Sequence, residues 1–159
     1  MERKLIFLDI DGTLLVPGET IRQTVLEGLR KARNRGHQIF VCTGRSVSVL
    51  PRELDDLQMD GIIASAGSDI WIHGQNVYRG ALSVEQIRKA CGILEGYGAV
   101  YVLEGYDHMY VSKSGTKVLL DQAPPKDMNP ELARWRQFIQ KKKNVRNFSD
   151  WNPENTPIP

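Results

Sequence analysis

Three short apolar runs punctuate the first part of the chain, and each ends in turn residues. Leu5-Ile6-Phe7-Leu8 runs straight into Asp9, Asp11 and Gly12. Gln38-Ile39-Phe40-Val41-Cys42 is closed by Thr43-Gly44-Arg45-Ser46, and Asp60-Gly61-Ile62-Ile63-Ala64 opens into Ser65-Ala66-Gly67-Ser68. Runs this short, bounded by turn signals, predict buried strands of a parallel sheet. Between the first two, after a loop at Pro17-Gly18-Glu19, the positions Ile21, Val25, Leu29 and Ala32 fall on one helical face, with Thr20 as the expected N-cap and Gly36 as the stop. Arg30, Lys31, Arg33 and Arg35 crowd the end of that helix, as its dipole prefers, and read as a solvated terminus before they read as a phosphate patch. Strand, helix, strand in this order is a βαβ unit, so the first two strands should be parallel and adjacent. Another helix is expected to start near Pro51, with Leu50, Leu54 and Leu57 as its stripe.

From Asp69 the texture changes. Ile70-Trp71-Ile72-His73, Gly74-Gln75-Asn76 and Val77-Tyr78-Arg79 read as a hairpin. Ser83-Val84-Glu85-Gln86 is a capping box, and the helix it starts carries Val84, Ile87, Cys91 and Leu94. Strands over 99–103 and 106–112 and a short helix over 114–120 follow, with a break at Ala123-Pro124-Pro125. Pro130 opens a helix with Leu132, Trp135 and Phe138 on one side, Lys141-Lys142-Lys143 ends it, and 145–148 gives one more short strand. The lysine run is read as a charged helix end in preference to a nucleic-acid contact.

At 159 residues the chain fits one domain, or one small domain plus an insert. Its 41% hydrophobic and 25% charged content is ordinary for a soluble globular protein, and a net charge of +2 is too small to argue for nucleic acid. No apolar run approaches the length of a membrane span, and the N-terminus enters a strand directly without the pattern of a signal peptide. Cys42 and Cys91 lack metal spacing and are expected to be reduced and buried, as in a cytoplasmic protein. His37, His73 and His108 are scattered and form no metal cluster in the sequence.

The candidate chemistry sits at the end of the first run. In open α/β sheets ligands gather outside the carboxyl ends of the strands. Side chains two apart on an extended segment point the same way, so Asp9 and Asp11 can converge on one cation or one reacting group. Gly12 allows a sharp turn and close approach of a ligand. The competing reading, a solvated Asp-Gly turn, does not require a buried strand in front of it. An EF-hand loop fails, because its required glycine and glutamate positions hold Leu14 and Thr20. A glycosidase pair has no support from spacing alone. Gly92, Gly96 and Gly98 do not make a dinucleotide fingerprint, and there is no P-loop or internal repeat.

Asp9-Ile10-Asp11-Gly12-Thr13-Leu14 resembles the first motif of the haloacid dehalogenase-like phosphatases, and Thr43-Gly44-Arg45 resembles the second motif of their Cof-type branch. The resemblance implies an α/β fold: a Rossmann-like parallel core, here partial with three strands over residues 1–68, and an inserted α+β cap over 69–159. It implies that Asp9 is the nucleophile, taking the phosphoryl group as an aspartyl phosphate, and that Asp11 is the general acid and then the base. It assigns Mg²⁺ to the Asp9 carboxylate and the Asp11 carbonyl, and substrate phosphate to Gly12, Thr43, Gly44 and Arg45. For Arg45 a structural ion pair is the alternative. Ala66 stands where Cof-type proteins usually carry Asn.

The pattern then departs. The family's third motif, a lysine, and its fourth, an acidic Gly-Asp-x-x-x-Asp type segment, have no match before Pro159. With later core strands absent, 5–8 is expected to lie on a sheet edge, which invites pairing. Truncation of a longer protein is the favoured reading; coverage of the edge by another chain, including self-association, is the other. Two functions follow: Mg²⁺-dependent hydrolysis of a small phosphorylated metabolite in the cytoplasm, without nucleic-acid or membrane partners, or a catalytically incomplete binding or regulatory protein.

Overall fold

The computed structural model describes residues 2–16, 20–120 and 128–159. The expected loop at Pro17-Gly18-Glu19 and the expected break at Ala123-Pro124-Pro125 lie outside the described residues. The chain divides into two compact units, Met1–Gly80 with Pro159, and Ala81–Ile158.

The first unit is built on a five-stranded sheet in the order β1 (Leu5–Leu8), β2 (Gln38–Cys42), β3 (Gly61–Ala64), β4 (Asp69–Ile72), β5 (Gln75–Arg79). β1, β2 and β3 run parallel, as the alternation of apolar runs and helix predicts, with Leu8 level with Val41 and Cys42 level with Ile63. Helix α1 (Gln23–Asn34) makes the crossover between β1 and β2. Ile10, Leu14, Ile21, Val41, Leu54 and Leu57 form the buried cluster, flanked by Leu8, Val25, Leu26 and Leu29. Gly61 sits where β3 is squeezed. A Cβ there would lie 2.6 Å from the Trp71 carbonyl oxygen and 2.8 Å from the Phe40 ring, so no larger residue fits without displacing backbone.

Five local expectations change. β1, expected to be a buried strand, leaves Leu5 and Phe7 exposed on one face of the sheet. α1 begins at Gln23, and its N-cap is Arg22, which makes no side-chain cap bond; Thr20 stands outside the helix. The helix expected from Pro51 is a 3₁₀ stretch, Arg52–Leu57, ended by Gln58 in the left-handed conformation. Cys42 is exposed, because it is the last residue of β2, while Cys91 is buried as expected; neither is in a disulfide. The hairpin assigned from its texture to the second domain instead continues the first sheet. Ala64 pairs with Asp69, and Gly61 with Ile72, so β4 folds straight back on β3. Its exposed polar face on β5 gave it the look of a separate segment.

The second unit is α+β. Helix α2 (Val84–Gly96) starts from the expected capping box: the Gln86 N–H donates to Ser83 Oγ at 3.2 Å and the Ser83 N–H to Gln86 Oε1 at 2.8 Å. β6 (Val102–Glu104), β7 (Met109–Val111) and β8 (Val145–Asn147) make a small sheet, β6 antiparallel and β8 parallel to β7. A turn of helix α3 (Lys113–Gly115) runs on into a π-helical stretch, Thr116–Leu120. Helix α4 (Pro130–Lys141) is capped by Asn129, whose Oδ1 accepts from the Leu132 N–H at 2.8 Å. Ile87, Cys91, Tyr110 and Ile158 form a core cluster of this unit. Among the described residues no helix is long and apolar enough to cross a membrane.

Candidate active site

β1 delivers Asp9 to the carboxyl end of the sheet. Immediately beyond it the chain winds into a tight turn: the Ile10 carbonyl accepts from the amides of Thr13, Leu14 and Leu15 at 3.3, 3.0 and 2.9 Å. Ile10 and Leu14 are buried on the inside of that turn, which anchors it to the core and leaves Asp9, Asp11, Gly12 and Thr13 exposed. Gly12 has φ +78°, a conformation that costs an L side chain energy, so the turn requires glycine there. The apolar positions 10 and 14 therefore hold the loop while the polar positions between them face outward.

β2 delivers Thr43 to the same end. With Leu8 level with Val41, Thr43 emerges one step beyond the level of Asp9. Thr43 is 4% exposed and fixed on three sides. Its N–H donates to the Ile63 carbonyl at 2.9 Å, its carbonyl accepts from the Ala66 N–H at 3.1 Å, and its Oγ1 accepts from the Arg45 N–H at 3.1 Å. No acceptor for its hydroxyl proton stands among the described residues, so that proton can be given to an anion. Gly44 borders open space, so a ligand can approach the backbone there.

Arg45 takes the ion-pair role that the sequence left open beside phosphate binding. Its Nε donates to Asp11 Oδ2 at 2.8 Å and its Nη2 to Asp11 Oδ1 at 2.6 Å. These hydrogen bonds, with the charge of the guanidinium, hold the Asp11 carboxyl below its usual pKa against a smaller opposing effect of burial.

A third loop closes this end. The Ser65 N–H donates to the Arg45 carbonyl at 2.8 Å, and Ser65 and Ala66 both carry left-handed backbone, φ 49° and 53°. Asn is favoured over Ala in that conformation, which gives the expected Asn at 66 a backbone reason. Next to it, at the start of β4, Asp69 is fully buried. Its Oδ1 accepts from Asn76 Nδ2 at 2.6 Å, and Oδ2 has no hydrogen-bond partner among the described residues. Sequence reasoning gave Asp69 no role; only its pairing with Ala64 at the carboxyl end of β3 brings it to this region.

The site offers a cation hard oxygens. Asp9 is exposed, and the Asp11 carbonyl accepts no hydrogen bond from the described residues. Mg²⁺ keeps several waters and binds through one or two carboxylates plus substrate phosphate, so this donor set suits it. Among the described residues no group of three or more His, Cys, Asp or Glu side chains gathers as a metal site. A cavity of about 300 Å³ in this unit lies elsewhere, against β3 and β4, lined by Leu54, Met59, Ile62 and Trp71, and none of the candidate residues lines it.

The fold has counterparts. The sequence profile of haloacid dehalogenase-like hydrolases matches residues 6–157. The HMP-PP phosphatase of Klebsiella pneumoniae is 31% identical over 85 residues, 52% of this chain and 31% of that protein. A hypothetical protein from Geobacillus kaustophilus superposes with a TM-score of 0.71 at 21% identity, covering 99% of this chain and 56% of the other. The subclass IIB sugar phosphatase BT4131 does so with a TM-score of 0.67 at 21% identity, again covering 99% and 56%. The chain thus spans about half the length of these solved neighbours, and between 16% and 35% of the curated relatives it matches. A profile match through both units, a shared fold, and an Asp-x-Asp-Gly-Thr loop held at the carboxyl end of β1 converge: the chain belongs to the haloacid dehalogenase-like hydrolase family.

Proposed function

We propose that the chain contributes to a Mg²⁺-dependent phosphomonoester hydrolase, acting on a small phosphorylated metabolite such as a sugar phosphate through an aspartyl phosphate at Asp9. The observation that carries the reading is the anchored turn after β1, which holds two exposed carboxylates at the carboxyl end of the sheet beside the buried, donor-bearing Thr43. The phosphatase names of the relatives support the substrate class.

Each residue has a derivable task. An Asp9 carboxylate oxygen attacks phosphorus and the ester oxygen departs, which splits one difficult displacement into two easier ones. Thr43 Oγ donates to a phosphoryl oxygen, and the backbone at Gly12 and Gly44 lets that group approach. Asp11 gives a proton to the leaving alcohol and later takes one from the attacking water. Arg45 favours the ionised form of Asp11, which suits the second half of that cycle; for the first half Asp11 must carry a proton, so its hold on Arg45 must loosen when substrate is bound. The Asp9 carboxylate and the Asp11 carbonyl would hold Mg²⁺, whose chemistry when bound is to offset the repulsion between an anionic nucleophile and an anionic ester.

A second reading, a binding or regulatory protein that does not turn over, draws on the donor set: among the described residues no group of three or more metal-ligating side chains gathers around Asp9 and Asp11. Both readings have the chain in the cytoplasm with Cys42 and Cys91 reduced. Turnover separates them. The longest polypeptide that carries this chain, assayed with Mg²⁺ against a panel of sugar phosphates, supports the hydrolase if release of phosphate survives repurification and is lost in Asp9→Asn. Phosphate binding without release supports the second reading.

A further inference from the structure

The cavity of about 300 Å³ in the first unit is lined by residues between 47 and 74, and neither β1 nor the second unit contributes to it. Ile62 and Trp71 are partners across β3 and β4, so their side chains stand next to each other on one face of the sheet. Val41, level with Ile62 on β2, belongs to the buried cluster on that face together with Leu54. The 3₁₀ stretch Arg52–Leu57 covers the face only in part. Leu54 and Leu57 are buried, while Val47, Met59, Ile62 and Trp71 stay half-buried. Apolar side chains that a close-packed interior would bury therefore line a concavity.

One polar atom of this wall lacks a partner: Trp71 Nε1 is buried and makes no hydrogen bond to the described residues. That is uncommon, because a buried tryptophan usually pairs its N–H. The ring itself is steadied by Arg79, whose guanidinium carbon stands over it, 5.6 Å from the centroid. The charged residue among those lining the cavity is Asp55, which is exposed. Its carboxylate disfavours an anion, and a charge of either sign would lose its hydration against Leu54, Met59 and Ile62. A concavity of this size, apolar but for one buried donor, has the make-up of a small-molecule site.

We propose that this cavity binds a small, neutral, planar heteroaromatic molecule, its ring against Trp71, Ile62 and Met59 and a ring nitrogen or carbonyl oxygen accepting from Trp71 Nε1. A flat ring gains from the indole beyond the area it buries. The acceptor supplies the selectivity, since a ligand without one leaves the indole N–H buried and unsatisfied. The site is independent of the hydrolase reading: none of Asp9, Asp11, Thr43 and Arg45 lines the cavity, and its test reads an indole resonance, not turnover.

Quinoline and naphthalene are the probes, two fused aromatic rings with and without a ring nitrogen. The protein is the longest polypeptide that carries this chain, labelled with ¹⁵N, and the Trp71 indole resonance is identified by its loss in Trp71→Phe. Quinoline should move that resonance downfield and leave those of Trp135 and Trp151 in place. Naphthalene should bind about tenfold more weakly, the worth of one hydrogen bond to a buried donor. In Trp71→Phe, which keeps an aromatic wall and removes the donor, the two probes should bind equally, as read by saturation transfer to each probe. Met59→Trp and Ile62→Trp fill the cavity from two different walls and should each abolish binding of both probes; circular dichroism checks that every variant is folded. A Trp71 resonance unmoved by millimolar quinoline overturns the proposal. Equal binding of the two probes to the parent also overturns it, as does a preference for quinoline that persists in Trp71→Phe.

Discussion

The Arg45 guanidinium lies against the Asp11 carboxylate along two hydrogen bonds, Nε to Oδ2 at 2.8 Å and Nη2 to Oδ1 at 2.6 Å. The two residues come from different loops, one after β2 and one after β1, so the pair ties together the two loops that carry the candidate chemistry. It is a paired donor fork on a planar acceptor, a geometry that lysine cannot reproduce. With 31% and 59% of the two side chains exposed, the pair is a surface ion pair whose main effect is local.

Arg45→Met should raise the Asp11 pKa back toward its ordinary 3.8, read by a carboxyl-carbon NMR titration. Because the folded-state value is depressed, the pair stabilises the fold above the unfolded-state pKa, and that contribution is lost as pH falls through the folded value. At neutral pH the substitution should cost no more than about 1 kcal/mol, given the exposure of both groups. An unmoved Asp11 titration would show that the pair does not persist in solution.

Ala66 holds φ 53° and ψ 31° inside the loop that caps Thr43. A left-handed backbone costs an L residue with a Cβ roughly 1–2 kcal/mol, and glycine avoids it. Ala66→Gly should therefore raise stability by about 1 kcal/mol, partly offset by the freer unfolded chain. Ala66→Asn should gain less. Urea midpoints measure both; a midpoint lowered by each variant would mean that the alanine methyl is packed and worth more than the strain.

The nearly unbroken apolar runs 5–8 and 38–42 showed their strands in the sequence because such runs suit a sheet core, although only β2 is largely buried and β1 leaves Leu5 and Phe7 exposed; Ser83 and Gln86 showed their cap because that motif is local. The Asp-x-Asp-Gly-Thr loop was legible for the same reason, its turn being set by Ile10, Gly12 and Leu14 within a few residues. What stayed hidden depends on partners distant in the chain. Nothing local says that Asp69 pairs with Ala64 and that the hairpin extends the first sheet. Arg45 could be assigned to Asp11 only once β1 and β2 stood in register. Thr20 reads as a cap by residue type, yet the helix starts after Arg22, with Ile21 buried just ahead of it.

Asn76 is the main support of the buried Asp69. Its Nδ2 lies 2.6 Å from Asp69 Oδ1, and 3.3 Å from the carbonyls of Ile70 and Tyr78, while Arg79 Nε stands 3.6 Å from Asp69 Oδ1. Asn76→Ala should cost about 1–3 kcal/mol, because it leaves a buried carboxylate with a weaker partner. Asp69→Asn in the same background should recover part of that loss by removing the buried charge. Chemical denaturation of the two variants tests this, and equal stability of Asn76→Ala and the parent would mean that Arg79 moves in to replace the amide.

The roles proposed for Asp9 and Asp11 differ in a way that leaving groups can separate. If Asp9 forms the covalent bond to phosphorus, Asp9→Asn removes the nucleophile and should abolish turnover of every ester alike. If Asp11 protonates the departing oxygen, the cost of Asp11→Asn should depend on how much that oxygen needs a proton. An alkyl phosphate expels a strongly basic alkoxide and should lose the full contribution of general acid catalysis, about 10²–10⁴-fold. An activated aryl phosphate expels a stable phenolate and should lose far less in the first step. Equal losses with both esters would mean that Asp11 acts by position alone, through its carbonyl and its bond to Arg45. The measurement belongs in the longest polypeptide that carries this chain and turns over, because the chain spans about half of its solved neighbours and the transition-state charge needs donors that Asp9, Asp11 and Thr43 do not supply. Losing one preorganised donor typically costs about 10²–10³ in rate. Turnover by the 159-residue chain alone should accordingly be slow or absent, and robust Asp9-dependent turnover would show that the missing charge is supplied from within the chain.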